Sequence, residues 1–170
     1  MTLPTWARVG LVIFVGLMVQ LAVVNRVSVW SVSGQALIVL PVAAGLAGGP
    51  ERGALVGFVT GLGFDVFLTT PFGLTALVWT ITGFAVGVAG RNLMRSSTWS
   101  IVAFAALAAP LSIGAFVVIG VILGQERLLA APVVPIMVVS TLVTALAAPL
   151  AAPAMRWAFT DPRDPVPLRR

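Results

Sequence analysis

The sequence predicts an all-α, polytopic membrane helix bundle of six spans, with five as the rival count, and three observations carry that prediction. Of 170 residues, 59% are hydrophobic and 9% are charged, where a soluble domain carries roughly 25% charge. The mean hydropathy is +1.10. The apolar residues gather into stretches that approach the ~20 positions needed to cross a hydrocarbon core of ~30 Å, and these take up most of the chain. The same figures exclude a soluble enzyme, a disordered chain and a nucleic-acid-binding domain.

The first stretch, residues 9–25, is apolar except for Gln20 and Asn25, and follows Arg8. A basic start and an apolar core also fit a signal peptide. No small-x-small cleavage site follows, however, and five more apolar stretches do, so it reads as a spanning anchor. The second stretch, residues 34–48, is the weakest. Pro41 interrupts it, Gly48-Gly49-Pro50 ends it, and its apolar part reaches only ~20 Å at ~1.5 Å per residue. It crosses if the helix extends back through Ser33 or the bilayer thins. Otherwise it is a re-entrant segment covered by protein.

The third stretch, residues 53–69, closes on the turn Thr69-Thr70-Pro71, and the fourth covers 72–90. The fifth, 99–123, has Pro110 in its middle, where a missing backbone donor predicts a kink. The sixth, 132–155, holds Pro135 in its first turn and Pro149 and Pro153 in its last turns. These spans form one transmembrane domain over residues 1–155. Residues 156–170 carry Pro162, Pro165 and Pro167 with four Arg, and read as a flexible basic tail near anionic lipid.

All ten bases are Arg, and they sit between the spans, where they set topology. Six crossings with the N-terminus inside leave Arg26 and Arg127 outside and the other eight inside. Five crossings with the N-terminus outside leave Arg8 and Arg127 outside, again eight to two. The charges therefore put the C-terminus on the cytoplasmic side and do not choose between the two counts. Trp6, Trp30, Trp99 and Trp157 mark span ends, where indole prefers the interface. Trp79 falls mid-span and must pack against helices or lipid tails.

The chain has no Cys, His, Tyr or Lys. Zinc, haem and thiol chemistry lack their usual ligands or nucleophile, and no Ser–His pair can form. The acids are Glu51, Asp65, Glu126, Asp161 and Asp164, and Asp65 alone falls inside an apolar stretch. Neither catalysis nor a cofactor nor a metal is expected. The two halves show no internal repeat of the kind that marks many transporters.

The most informative segment runs from Gly53 to Gly73. Gly53, Gly57 and Gly61 recur every four residues, so they cover an arc of ~80° on one helix face. Such a groove lets another helix backbone approach closely, and Gly83 and Gly87 offer a matching pair on the fourth span. The groove serves either packing within the chain or docking of a partner. Asp65 lies ~18 Å along the helix from Gly53, and a carboxylate at membrane depth is a functional-site candidate. Three readings stand beside each other. It caps the outer turn by accepting bonds from Thr69, Thr70 or the free N–H groups that start the fourth span, it pairs with Arg26 or Arg127, or it is a protonatable ion or substrate site.

Gly57-x3-Gly61-x3-Asp65, then Thr70-Pro71-Phe72-Gly73-Leu74-x2-Leu77, then Gly83-x3-Gly87, resembles the signature of MreD, the rod shape-determining membrane protein family of bacteria. The resemblance implies an architecture similar to the six-helix substrate-binding components of energy-coupling-factor vitamin transporters. It also implies a non-catalytic scaffold of the cell-wall elongation machinery in the bacterial inner membrane. The implied partners are a bitopic MreC-like protein and, through it, RodA, the elongation penicillin-binding protein and MreB, with the lipid bilayer and a second copy of the chain as further contacts. Gly57, Gly61, Asp65, Thr70, Pro71 and Gly73 are the motif residues carried over. They would shape the outer hairpin. A small-molecule uptake component of the same architecture is the alternative, but the first span lacks the Ala-x-x-x-Ala docking patch of such components. A proton or cation channel centred on Asp65 lacks a second intramembrane charge to relay to.

Overall fold

A computed structural model describes residues 4–24, 36–68, 71–91, 98–125, 128 and 132–160. Among these residues it contains six α-helices and no strand. They are α1 (Thr5–Val19), which continues as a π-helical end over Gln20–Val24, α2 (Val39–Gly48), α3 (Pro50–Asp65), α4 (Leu74–Gly90), α5 (Thr98–Ile122) and α6 (Val133–Phe159). Three of them, α1, α5 and α6, are long and apolar enough to cross a membrane, whereas α2 and α4 are shorter apolar helices.

The weakest stretch of the sequence becomes the centre of the molecule. Over its 10 residues, α2 is only ~15 Å long, and Leu37 to Gly45 are all buried. It packs on α3, α4, α5 and α6. Pro41 is tolerated because it falls in the first turn, where its missing N–H has no helical partner to lose. From Leu37 to Gly45 this short apolar stretch is thus enclosed by protein.

Several boundaries differ from the sequence reading: α2 begins at Val39 and not at 34, α3 runs from Pro50 to Asp65 and not from 53 to 69, and two more differ at one end of the bundle. Helix α1 begins at Thr5, so Arg8 lies inside it and is buried. Its guanidinium donates to the Thr160 carbonyl at 2.9 Å and lies 5.3 Å from the Trp157 ring centroid. Helix α6 continues past Met155 to Phe159, carrying Pro149 and Pro153 within it. Both prolines are on its exposed face, where lost backbone bonds let a helix curve around its core. Helix α5 likewise passes through Pro110 without a break.

Arg8 therefore joins the start of α1 to the end of α6. Arg52, at the start of α3, lies 5.0 Å over the ring of Phe159, and shares a surface bay with Arg91 from the end of α4. Arg156 lies in the last turn of α6. The arginines with described positions thus gather at one end. Asp65 closes the opposite end of α3.

The lateral faces of the bundle are apolar too. On α6, Val134, Val138, Leu142, Leu146 and Leu150 form an exposed row at four-residue spacing. On α5, Leu107, Leu111, Val118 and Ile122 are likewise exposed. Contiguous apolar faces of this extent are foreign to a soluble monomer and match a hydrocarbon solvent.

Candidate functional site

The motif residues meet at the junction of α2, α3 and α4. Gly53, Gly57 and Gly61 all face α4. A methyl group on Gly57 would collide with the Trp79 carbonyl, and one on Gly61 with the backbone of Ala76. From the other side, a methyl on Gly83 would strike the carbonyl of Gly53, and one on Gly87 the backbone of Pro50. The obstacles are backbone atoms, which cannot swing aside as a side chain can. The five glycines therefore face backbone of this same chain, and the groove predicted from their spacing is filled by α4.

Gly45 is a sixth member that the periodicity did not single out. Its added methyl would lie 2.6 Å from the Gly83 carbonyl oxygen and 3.0 Å from the Gly87 nitrogen. Three helices thus approach at one point through Gly45, Gly53 and Gly83. Such closeness gains dispersion and Cα–H···O contacts that larger residues would forbid. The signal was present in Ala43-Ala44-Gly45, but it stood in a stretch read for length rather than for small residues.

Below this junction, Trp79 is 1% exposed and stacks on Phe64, with ring centroids 5.5 Å apart and planes 16° from parallel. The aromatic pair fills the space between α3 and α4 beyond the glycine contacts. Mid-span Trp79 thus packs against protein.

At the far end of α3, Asp65 is 2% exposed. Its Oδ2 accepts the Gly73 N–H at 2.9 Å and the Ala76 N–H at 3.2 Å, and its Oδ1 accepts the Thr75 N–H at 3.2 Å. The N–H of Leu74 goes to the Pro71 carbonyl and that of Leu77 to the Gly73 carbonyl. Every backbone donor from Gly73 to Leu77 is therefore satisfied, as burial away from water requires. Gly73, at the N-cap, has no side chain to do this and sits at φ 95°, a left-handed conformation that glycine adopts without strain. Asp65 acts in its place from eight residues upstream, and the positive end of the α4 dipole favours the negative charge there. The backbone carbonyl of Asp65 also accepts the Leu68 N–H, so this residue ends one helix and begins the next. Thr69, Thr70, Arg26 and Arg127 lie outside the described residues, as do Trp30 and the segment 161–170. Pro71 sits at the turn, where its carbonyl takes the Leu74 donor.

The remaining polar residues of the spans are mostly bound within the fold. The hydroxyls of Thr80, Thr82 and Thr141 donate to carbonyls four residues earlier. The side-chain oxygen of Gln20 accepts the Ala36 N–H at 3.0 Å, which pins the entry to α2 against α1. The hydroxyls of Thr60 and Thr75 are buried and find no partner among the described residues. No cluster of acids that could hold a metal ion occurs among the described residues.

The arrangement is a hydrogen-bonded, backbone-packed hairpin. Its carboxylate holds a helix in place. A family model described as "rod shape-determining protein MreD" matches residues 2–150. No curated protein and no solved structure matches the chain. The chain belongs to the MreD family, and that membership points to a role in rod shape determination.

Proposed function

We propose that this member of the MreD family is a non-catalytic scaffold of the cell-wall elongation machinery, crossing the bacterial inner membrane six times. It docks a bitopic MreC-like partner through its outward apolar helix faces. Through that partner it links RodA, the elongation penicillin-binding protein and MreB to sites of peptidoglycan synthesis. The observation that carries this reading is the fate of Asp65. The one carboxylate at depth is fully engaged by three backbone N–H groups, so it serves the fold, while the exposed rows on α5 and α6 offer surface for other helices.

The contact of Arg8 with Thr160 supports termini on one side, hence an even number of crossings, and favours six over five. The gathering of Arg8, Arg52, Arg91 and Arg156 at that end supports its being cytoplasmic. The six-helix architecture of vitamin-binding transporter components remains part of the proposal. An uptake role would need convergent polar groups around a cavity, and here the centre is occupied by α2.

The test is a mild-detergent pull-down from the native host, read by mass spectrometry. Recovery of a bitopic coiled-coil protein together with cell-wall synthases is expected. Recovery of an ATPase and a transporter coupling subunit instead would overturn the scaffold reading.

A further inference from the structure

Two cavities of opposite character meet at the basic end of the bundle. One is a groove of about 480 Å³ between α1 and α3, lined by Val9, Gly10, Ile13, Leu55 and Val59 and closed by Phe159. The other is a bay of about 550 Å³ at the turn from α2 to α3, which includes Gly49, Glu51, Arg52 and Arg91. Arg52 is the residue common to both. Its guanidinium sits over Phe159, and it forms no hydrogen bond or ion pair with a described residue. A cation thus stands at the border between an apolar slot and a polar bay.

We propose that this end of the bundle binds one anionic glycerophospholipid, with its phosphate on Arg52 and Arg91 and one acyl chain in the α1–α3 groove. The charge fits: the bay holds two guanidinium groups against the single carboxylate of Glu51. Basic pockets between membrane helices take lipid head groups by this logic. The shape fits as well. A methyl on Gly10 would meet nothing within 4 Å, so α1 leaves the groove bare beside exposed Leu55 and Val59. Trp6, 78% exposed, lines the same groove, where an indole favours the head-group boundary. A soluble anion would use the bay and leave the groove empty. An amphiphile uses both.

The experiment is native mass spectrometry of the full chain purified in maltoside detergent, offered phosphatidylglycerol and phosphatidylcholine of identical acyl chains in equal amounts. Retention of phosphatidylglycerol about ten-fold over phosphatidylcholine is expected, from two cations each contributing a few-fold. Arg52→Gln and Arg91→Gln should each lower the ratio to about three-fold, and the double variant should bring it close to one. Gly10→Leu fills the groove without touching either arginine, and should reduce retention of both lipids together. Equal retention of the two lipids by the unaltered chain would overturn the proposal, as would an undiminished preference in Arg52→Gln. Complete displacement of the lipid by millimolar inorganic phosphate would assign the site to a free anion and overturn it too.

Discussion

The two halves of this molecule are held together by different means. In the α2–α3–α4 half, helices touch backbone to backbone through Gly45, Gly53, Gly57, Gly61, Gly83 and Gly87, and a carboxylate stitches the hairpin shut. In the half formed by α1, α5 and α6, α5 and α6 are the longest helices and turn rows of Val and Leu outward. A methyl on Gly114 of α5 would meet only the end of the Met137 side chain, at 3.6 Å. Inside a membrane the lipid is as apolar as leucine, so burying leucine between helices contributes little to association, while close backbone approach and satisfied polar groups contribute much. The first half should therefore specify the fold, and the second should tolerate change and meet partners.

The largest effect should come from Gly57→Leu. The added side chain meets the Trp79 carbonyl, and overpacking costs about 1–3 kcal/mol, and more where the obstacle is backbone that cannot yield. Folded protein in the membrane fraction, measured by quantitative immunoblot and detergent size-exclusion, should fall to a trace. Gly10→Leu, on open α1, should leave it unchanged. Equal behaviour of the two variants would break the comparison between the halves. Next in size is Trp79→Ala, where loss of a buried aromatic costs about 3–5 kcal/mol, read as a lowered thermal unfolding midpoint in detergent.

Asp65→Ala leaves the N–H groups of Gly73, Thr75 and Ala76 without their acceptor. Removal of a cap costs about 0.5–2 kcal/mol, and burial of the orphaned donors carries this toward the upper end or beyond. Its unfolding midpoint should drop clearly, with Asp65→Asn dropping less because the amide oxygen still accepts. The smallest effect should be Leu146→Ala on the exposed row of α6, within about ±0.5 kcal/mol of the native stability. Normal stability with weakened capture of the bitopic partner would sharpen the comparison by placing the docking face on α6.

The glycine spacing and the lone intramembrane acid were legible in the sequence because each follows from one local rule. Small residues at four-residue spacing imply a smooth helix face, and a buried acid needs donors. The turn at Pro71 and Gly73 supplied the nearest ones. Which helix would fill the groove was not legible, since spacing describes one surface and not its partner. The place of α2 was legible only in part: cover by protein is one of the two readings its shortness allows, but the neighbours that supply it are not in the pattern. Hydropathy counts length, and a helix of 10 residues looks deficient until its neighbours are seen to cover it. Arg8 misled in the opposite direction. A charge next to an apolar stretch marks a boundary on average, yet here the guanidinium is drawn into α1 by the Thr160 carbonyl and the Trp157 ring, partners more than a hundred positions away that no local pattern reports.

The central claim is that Asp65 supports the hairpin and does no chemistry of its own. The most direct measurement is rescue of rod shape in a strain lacking the native gene by Asp65→Asn, with cell width scored against the amount of folded protein in the same cells. The account predicts that shape tracks abundance, so that Asp65→Asn cells making normal amounts of protein are rods. Round cells at native abundance of Asp65→Asn would contradict it, and would return the carboxylate to the class of working, protonatable groups.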